Sequence, residues 1–550
     1  MLRRFYFENY KGFDDRQEIE VRPLTFLLGP NNSGKTSILH LLLALQNTWA
    51  AHEGSGSMAL VLNGPYAHLG ASAAMFHNRN TKKAITIGVS IGAGKVLKEI
   101  SERALAELTS RLSNAAVLLT RYAAVYGLPI VAPHRGDRAL LSEEIRRDVA
   151  RFVRDRLELW SAIRKAEQGK VQVITGSPLD SYAYLFEAGD AQWRAVATTV
   201  RALSSVKEDQ EVYAEFAIKH GKRGSAQGEG SLLFDHFRLC AETQVLLDVD
   251  VRGASVSGVA VEGCPEMPSE LVRAWIREEP GLSTLLENLD RRTTLHLDSV
   301  MGIVREVLGM LETQFAVRTL KHVGPIRALP RRVYSQDWGQ TYAGFDALEG
   351  RSIAEVLREN RKYTAKKLNA WLRVFGITID VETAFEILHR VVVRDEKIEL
   401  DLVDVGFGIS QVVPILLQLL LARPGTVILI EQPEIHLHPT MQAALADILI
   451  EATTGALHSP RLDDSAPGIA AIVETHSEYM LYRLRARIAE GTLLSAEDVA
   501  LYYASRTDGA ATVTRLDIME RGRFDWPPEF SSAVEDTSTF LQHQVPDKRE

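Results

Sequence analysis

The stretch GPNNSGKT, residues 29–36, decides the fold. Glycine, four residues and then Gly-Lys-Thr is the pattern of a phosphate-binding loop. Gly29 and Gly34 let the backbone curl around a phosphate with no side chain in the way. The N–H groups freed in that curl point inward and make an anion-binding concavity. Lys35 has the reach for the β- and γ-phosphates of a nucleotide, and the Thr36 hydroxyl suits Mg²⁺. The flanks agree. LTFLL at 24–28 reads as a buried strand, and SILHLLLAL at 37–45 reads as the helix whose N-terminus faces the phosphates. The loop makes Gly29, Asn31, Asn32, Ser33, Gly34, Lys35, Thr36 and Ser37 the expected nucleotide contacts.

Upstream of the loop, LRRFYFENY and QEIEVRPLTFLL alternate apolar and polar residues, broken by Lys11-Gly12-Phe13 and Asp14-Asp15. Such a strand pair would lead straight into the phosphate loop. Downstream, residues 46–95 read as irregular and then extended, ending in the strand-like AITIGVSIGAG. His77 and Asn78 lie in this stretch. They are candidates for sensing Mg²⁺ and an attacking water, or members of an ordinary polar loop.

Two long helical patterns follow, Val96 to Tyr126 and Ser142 to Gln168, with apolar residues at steps of three and four. Ser142 is a candidate N-cap of the second, and Gly169 a stop. The turn-rich link GLPIVAPHRGDRAL makes this a helical hairpin with arms of about 40 Å. It either projects as a short antiparallel coiled coil or packs flat. On the second arm seven basic residues, among them Arg151, Arg154 and Arg156, interleave with Glu143, Glu144, Asp148, Asp155 and Glu158. That is the pattern of a solvated, salt-bridged face rather than a DNA grip. Residues 170–265 mix short extended runs, such as EVYAEFAI and TQVLLDVDV, with a polar loop at 219–230. Helical patterns return at 268–320 and from Asn360 to Phe375.

The chain has 550 residues, more than one ordinary core, so two or three lobes are expected. A formal net charge of −8 argues against a generally basic nucleic-acid binder and leaves room for a local basic patch. Cys240 and Cys264 lack metal-ligand spacing and read as free thiols of a reducing compartment. No run approaches the roughly 18 apolar residues of a membrane span. MLRRFYFENYKGF lacks the apolar segment of a signal peptide. The expected location is the cytoplasm, with no membrane partner.

Motifs crowd the last third. VDVGFGISQVVPILLQLLLA, 403–422, is a glycine-rich turn leading into an apolar helix. GTVILIEQPEIHLHP, 425–439, is a buried strand with acids at its end. IAAIVETHSEYML, 469–481, is another buried strand, ending in Thr475-His476-Ser477. This order resembles the head of an ABC-type ATPase. More narrowly it is similar to the SMC/RecF/OLD-like branch and to bacterial AAA-family ATPases with EQPEIHLHP and ETHSEYML-type motifs. LRRFYFENYKGF and HVGPIRALPRRVY at 322–334 look like that group too. The resemblance covers roughly 1–95 and 320–550.

The resemblance implies an α/β fold, a P-loop NTPase of ABC-ATPase head type with an inserted helical and mixed α/β region. The expected division is 1–95, phosphate-loop lobe; 96–169, helical hairpin; 170–320, mixed insertion; 321–525, second lobe of the head; and 526–550, polar tail. ATP and Mg²⁺ are the implied cofactors. Glu431 should enter the Mg²⁺ shell beside Thr36, and His476 should sense the γ-phosphate or orient water. Gly406, Gly408 and Ser410 should cap the nucleotide of a second subunit from a helix N-terminus. That makes a homodimer with shared sites, with His438 and Pro439 at its interface. One departure stands out. Such heads usually carry Asp-Glu after the strand, and here the pair is Glu431-Gln432. Glutamine can position a water but cannot take its proton. Either Glu434 supplies the base, or turnover is slow and the protein switches on binding.

The implied roles are a dimeric ATPase coupled to double-stranded DNA, or a phage-defence ATPase with a separate nuclease or toxin. The contrasting reading is an ATP-binding scaffold that sequesters an effector. A transporter ATPase is disfavoured by the long insertion between Thr36 and Gly406. Residues 477–550 are few for a Toprim-type nuclease domain. Gly324, Pro325 and Arg327, with Arg331 and Arg332, read as either a basic element near the nucleotide or a turn with solvated arginines.

Overall fold

Alternation at the N-terminus builds a hairpin at the start of the chain. In the computed structural model, β1 (Leu2–Glu8) pairs antiparallel with β2 (Gln17–Glu20), Phe5 opposite Ile19. Phe5, Phe7 and Ile19 face inward and are fully buried. The structure describes residues 1–51, 60–92, 94–128, 149–168, 211–221, 231–241, 244–250, 255–257, 306–307, 309–316, 318–325, 327, 330–335, 353–359, 364–384, 388–395, 398–454 and 468–526. The chain divides into two compact units. One is Met1–Glu53, Leu60–Ile85 and Thr313–Glu550, and the other is chiefly Thr86–Glu312.

In chain order, β3 (Leu24–Leu28) and α1 (Lys35–Ala51) complete the first segment. The intervening unit holds β4 (Ile85–Gly92), α2 (Gly94–Val125), α3 (Val149–Gln168), β5 (Glu211–Gly221), β6 (Ser231–Ala241), β7 (Gln244–Asp250) and β8 (Ser255–Ser257). The chain returns with β9 (Leu320–Val323), β10 (Tyr334–Ser335), α4 (Ile353–Glu359), α5 (Lys366–Leu372), β11 (Thr378–Ala384), β12 (Leu388–Arg394) and β13 (Glu399–Asp401). Last come α6 (Phe407–Leu421), β14 (Val427–Glu431), α7 (Pro439–Thr453), β15 (Ala470–Glu474), α8 (Glu478–Glu490), β16 (Val499–Thr507) and β17 (Ala510–Leu516).

The first unit is organised on a six-stranded sheet in the order β17-β16-β3-β15-β14-β9. All neighbours are parallel except β17 on β16. A parallel sheet covered on both faces needs continuous apolar strands. LTFLL, VILIE and AAIVE meet that need, buried at every position including their terminal glutamates. The core on these strands takes Phe26, Ile428 and Ile430 with Ile415 and Leu416 of α6 and Leu445 and Leu449 of α7. Each such side chain contributes about 1.5–3 kcal/mol by leaving water. Because the strands are parallel, the loops after β3, β14 and β15 emerge at one edge, the carboxyl ends where α/β sheets bind ligands.

Helix ends are fixed by local chemistry. Ser477 caps α8, its hydroxyl accepting the Met480 N–H at 3.1 Å, and Gly491 ends that helix at φ 64°. His438 caps α7, with Pro439 as the first helical residue. Asp447 on α7 accepts from both Arg483 and Arg487 on α8 at 2.7–3.0 Å. Burial alone would raise its carboxyl, but the two guanidiniums, Arg487 foremost, hold it below the usual range. A smaller antiparallel sheet, β10-β12-β11 with β13 on β12, precedes α6.

In the second unit β4, β5, β6, β7 and β8 are successive neighbours in one sheet. β5 alternates half-buried and buried residues from Glu211 to Ile218. α2 buries Leu97, Ile100, Leu112 and Leu119, and α3 buries Phe152, Val153 and Ile163. Arg151 and Asp155 pair along the exposed face of α3 at 3.7 Å. Arg156 instead folds inward over the Phe152 ring. The expected cap at Ser142, the link 129–148, the loop at 222–230, most of 258–305 and the tail from 527 lie outside the described residues. Cys240 is a buried free thiol, raised to about 11 by burial. No helix among the described residues is long and apolar enough to cross a membrane.

Candidate nucleotide site

The loop after β3 takes the conformation its glycines permit. Gly29 has φ 133° and Gly34 φ 101°. A Cβ on Gly29 would stand 2.1 Å from the Ala504 carbonyl oxygen, and one on Gly34 2.7 Å from the Phe13 ring. Phe13 sits in the Tyr10–Phe13 turn of the N-terminal hairpin, and the Tyr10 hydroxyl donates to the Ser37 carbonyl at 3.0 Å. The first strands of the chain are thus the bed on which the loop lies. His77 and Asn78 brace the same turn. His77 Nδ1 is 3.1 Å from the Lys11 carbonyl, and its Nε2 is 2.8 Å from the Asn78 amide.

Lys35 folds across its own loop and donates to the carbonyls of Gly29 (2.9 Å) and Pro30 (2.8 Å). Burial lowers its pKa, against Glu474 and Glu434, which raise it. A buried ammonium held only by main-chain oxygens can exchange them for phosphate. The Ser33 hydroxyl is buried without a partner in the same loop. Asn31 and Asn32 are exposed at its tip.

The Thr36 hydroxyl reaches the Glu474 carboxylate, at 3.0 and 2.9 Å from its two oxygens. Glu474 ends β15, directly beside the loop strand. Burial, and then the charges of Glu431 and Glu434 against the Thr36 hydrogen bond and Lys35, push it up to about 7. Glu431, its register partner on β14, is occupied elsewhere. Its Oε1 lies 2.6 Å from His322 Nε2 and 3.5 Å from His40 Nε2. Burial would raise this carboxyl, but hydrogen bonds from His322 and His40 bring it down to about 2. The Glu431 carbonyl accepts from the buried Arg327 guanidinium at 2.9 Å, and the Arg327 N–H donates to Gln411 of α6 at 3.3 Å. Burial lowers Arg327 to about 10. In the Gly324–Arg332 stretch Arg327 is buried, its guanidinium on a main-chain carbonyl. Arg332 is a surface partner of Asp401 and Asp404.

Gln432 takes φ 43° as the chain turns off β14, its N–H on the Glu474 carbonyl at 2.8 Å. The turn sends Glu434 back toward β15, where its Oε1 accepts the His476 N–H at 2.7 Å. Among the described residues its other oxygen is buried with no hydrogen-bond partner. Burial raises this carboxyl above the ordinary range. Burial, with Lys35 nearby, lowers His476 and keeps its ring neutral. The imidazole Nε2 is also buried without a partner.

The glycine-rich turn packs on this loop. A Cβ on Gly408 would fall 2.5 Å from the His436 carbonyl oxygen, and Phe407 meets the His436 ring edge-on at 4.7 Å. Gly406 and Phe407 are exposed. Ser410 is buried, its hydroxyl donating to the Phe407 carbonyl at 2.8 Å.

Lys35, Thr36, Glu434, Glu474 and His476 therefore share one edge of the sheet, with Glu431 behind. Sequence reading missed Glu474, His322 and His40. Glu474 carried a signal, an acid closing an all-apolar strand just as Glu431 does. The histidines carried none. Among the described residues no group of three or more His, Cys, Asp or Glu side chains is placed to hold a metal. Mg²⁺ needs no such cage. One or two carboxylates, a hydroxyl and phosphate oxygens suffice, and the hard oxygen donors of Thr36, Glu474 and Glu431 fit that requirement.

Residues 1–123 match the family described as "AAA ATPase domain", and residues 322–481 match "AAA domain, putative AbiEii toxin, Type IV TA system". No curated protein matches the chain. Among solved structures, the chain is similar to an SMC head bound to the C-winged helix domain of ScpA. The identity is 10%, over 94% of this chain and 98% of that one, with a TM-score of 0.36. The SMC head domain from Thermotoga maritima gives 9%, 94%, 98% and 0.33 in the same terms. An SMC head from Pyrococcus furiosus, with an extended coiled coil and bound to the C-terminal domain of ScpA, gives 10%, 98%, 98% and 0.32. The two family matches lie on either side of the insertion, and their strands interleave in one parallel sheet around the phosphate loop. The chain is therefore similar to AAA ATPase domains in two stretches, 1–123 and 322–481, separated by a long intervening segment.

Proposed function

We propose that this head binds and hydrolyses ATP with Mg²⁺ as a homodimer with two shared sites. Head closure is coupled to double-stranded DNA or to a separate effector, a nuclease or toxin, in DNA repair or anti-phage defence. The observation that carries the reading is the edge where Lys35, Thr36, Glu434, Glu474 and His476 meet. Lys35 would leave the Gly29 and Pro30 carbonyls for the β- and γ-phosphates. Thr36 and a strand-end carboxylate would hold Mg²⁺, which would supply positive charge against the phosphates. Glu434 has the attributes of a base that Gln432 lacks. Burial raises its carboxyl, one oxygen is fixed by the His476 N–H, and the other has no hydrogen-bond partner among the described residues. The neutral His476 ring is suited to orient a water or the γ-phosphate. Dimerisation is supported by the exposure of Gly406 and Phe407 at the start of α6, where a helix N-terminus favours an anion.

Gln432 favours a second reading, an ATP-binding scaffold with little turnover that holds a protein effector. ATP turnover with and without linear double-stranded DNA, against Lys35→Ala as blank, separates the two. DNA-stimulated turnover above the blank is expected. Turnover at the blank level, with ATP-driven dimerisation by light scattering in wild type only, would replace the first reading with the second. Neither turnover nor nucleotide binding would remove both.

A further inference from the structure

We infer that Glu474, at the end of β15, supplies the carboxylate that meets Mg²⁺, with Glu431 on β14 held back from the ion. The inference rests on the reading that this edge binds Mg-nucleotide. Strand order is the first argument. β15 lies between β3 and β14, and Glu474 pairs in register with Leu27 on one side and Glu431 on the other. Adjacent strands are about 4.8 Å apart. Glu474 is therefore one strand from the phosphate-loop strand at that level, and Glu431 is two.

The contacts agree with the order. The Thr36 hydroxyl, the metal ligand of the loop, already touches both Glu474 oxygens. A cation entering there would find hydroxyl and carboxylate on the same side. Glu431 has its carboxylate on His322 and His40, and its carbonyl on Arg327. To reach the ion it would have to give up the histidines at 2.6 and 3.5 Å. Its buried carboxylate then reads as a positioning group that ties the end of β14 to His322 and His40, while its main-chain carbonyl takes the Arg327 guanidinium. A single protein carboxylate with a hydroxyl is an ordinary complement for Mg²⁺ when phosphates and water complete the octahedron.

The test uses the full chain and a fluorescent ATP analogue, titrated in Mg²⁺ and in EDTA. Wild type should bind more tightly in Mg²⁺. Glu474→Gln should lose that advantage by about tenfold or more. Glu474→Asp should restore part of it, and Glu431→Gln should keep it. A Glu474→Gln protein that keeps the full Mg²⁺ advantage overturns the inference, as does an equal loss in Glu431→Gln. Glu474→Ala decides in the same way if the glutamine variant does not fold. Wild type that binds no nucleotide in either buffer overturns the nucleotide reading itself, which is a different result.

Discussion

Glu474→Gln should change stability in one pH window only, and the structure gives its sign. In the nucleotide-free chain the carboxyl sits at about 7, above its ordinary 4.5. The folded state therefore holds this proton more tightly than the unfolded state. Between pH 4.5 and 7 the native chain carries more protons, so stability falls as pH rises through that window. Above pH 7 the whole penalty is present. Each tenfold change in proton affinity is worth about 1.4 kcal/mol, so the penalty is at most about 3 kcal/mol. The lost contact from Thr36 returns about 1 kcal/mol of it. Glutamine keeps the shape and has no charge to bury. The variant should match wild type near pH 4.5 and exceed it by about 2 kcal/mol at pH 8, a rise of a few degrees in Tm for a unit this large. Calorimetry in EDTA without nucleotide, at both pH values, is the measurement. An equal shift at the two pH values, or a loss at pH 8, would refute the account of Glu474 as a buried, proton-hungry acid.

Two further outcomes follow from single contacts. Gly408→Ala drives a Cβ against the His436 carbonyl and should displace the loop that carries Glu434. Nucleotide affinity should hold while turnover drops at least about tenfold, and equal loss of both would place the damage at the phosphate loop instead. Asp447→Ala leaves Arg483 and Arg487 without their shared carboxylate. Urea unfolding should show about 1–2 kcal/mol lost at low salt and less at 1 M salt, since the side chains are partly exposed.

What was legible in the sequence is what local chemistry fixes. Gly29 and Gly34 are demanded by a backbone at positive φ pressed against Ala504 and Phe13, so the motif and the conformation are one fact. The runs LTFLL, VILIE and AAIVE announce strands buried on both faces because no other element tolerates them. The contacts that give the edge its character are not local. Thr36 and Glu474 are separated by 438 positions and Glu431 and His322 by 109. They meet only because β15 inserts between β3 and β14, an order no periodicity encodes. Ser410 shows the same limit on a smaller scale. Its type and place suggest an outward ligand, and the structure spends its hydroxyl on the Phe407 carbonyl.

The glutamine at 432 takes on a different meaning beside Glu474. Read along the chain, it is a missing base. Read across the sheet, it is one fewer negative charge at an edge that already gathers Glu431, Glu434 and Glu474. Each of those carboxylates is buried, and Glu474 feels both others. The compensation at hand is limited. Lys35 is turned to its own loop, the Arg327 guanidinium donates to a carbonyl, and His322 and His40 serve Glu431 alone. A fourth carboxylate at 432, on the turn whose N–H meets the Glu474 carbonyl, would add repulsion where burial, and then the charges of Glu431 and Glu434, already raise the Glu474 carboxyl. Relief must come with the ligand. A divalent cation brings the positive charge the edge lacks, and an unaccompanied nucleotide brings only more negative charge. A nucleotide bound at this edge, as proposed, would be favoured with its metal over free nucleotide, and the base proposed at Glu434 would be held by the His476 N–H without a fourth charge in the cluster.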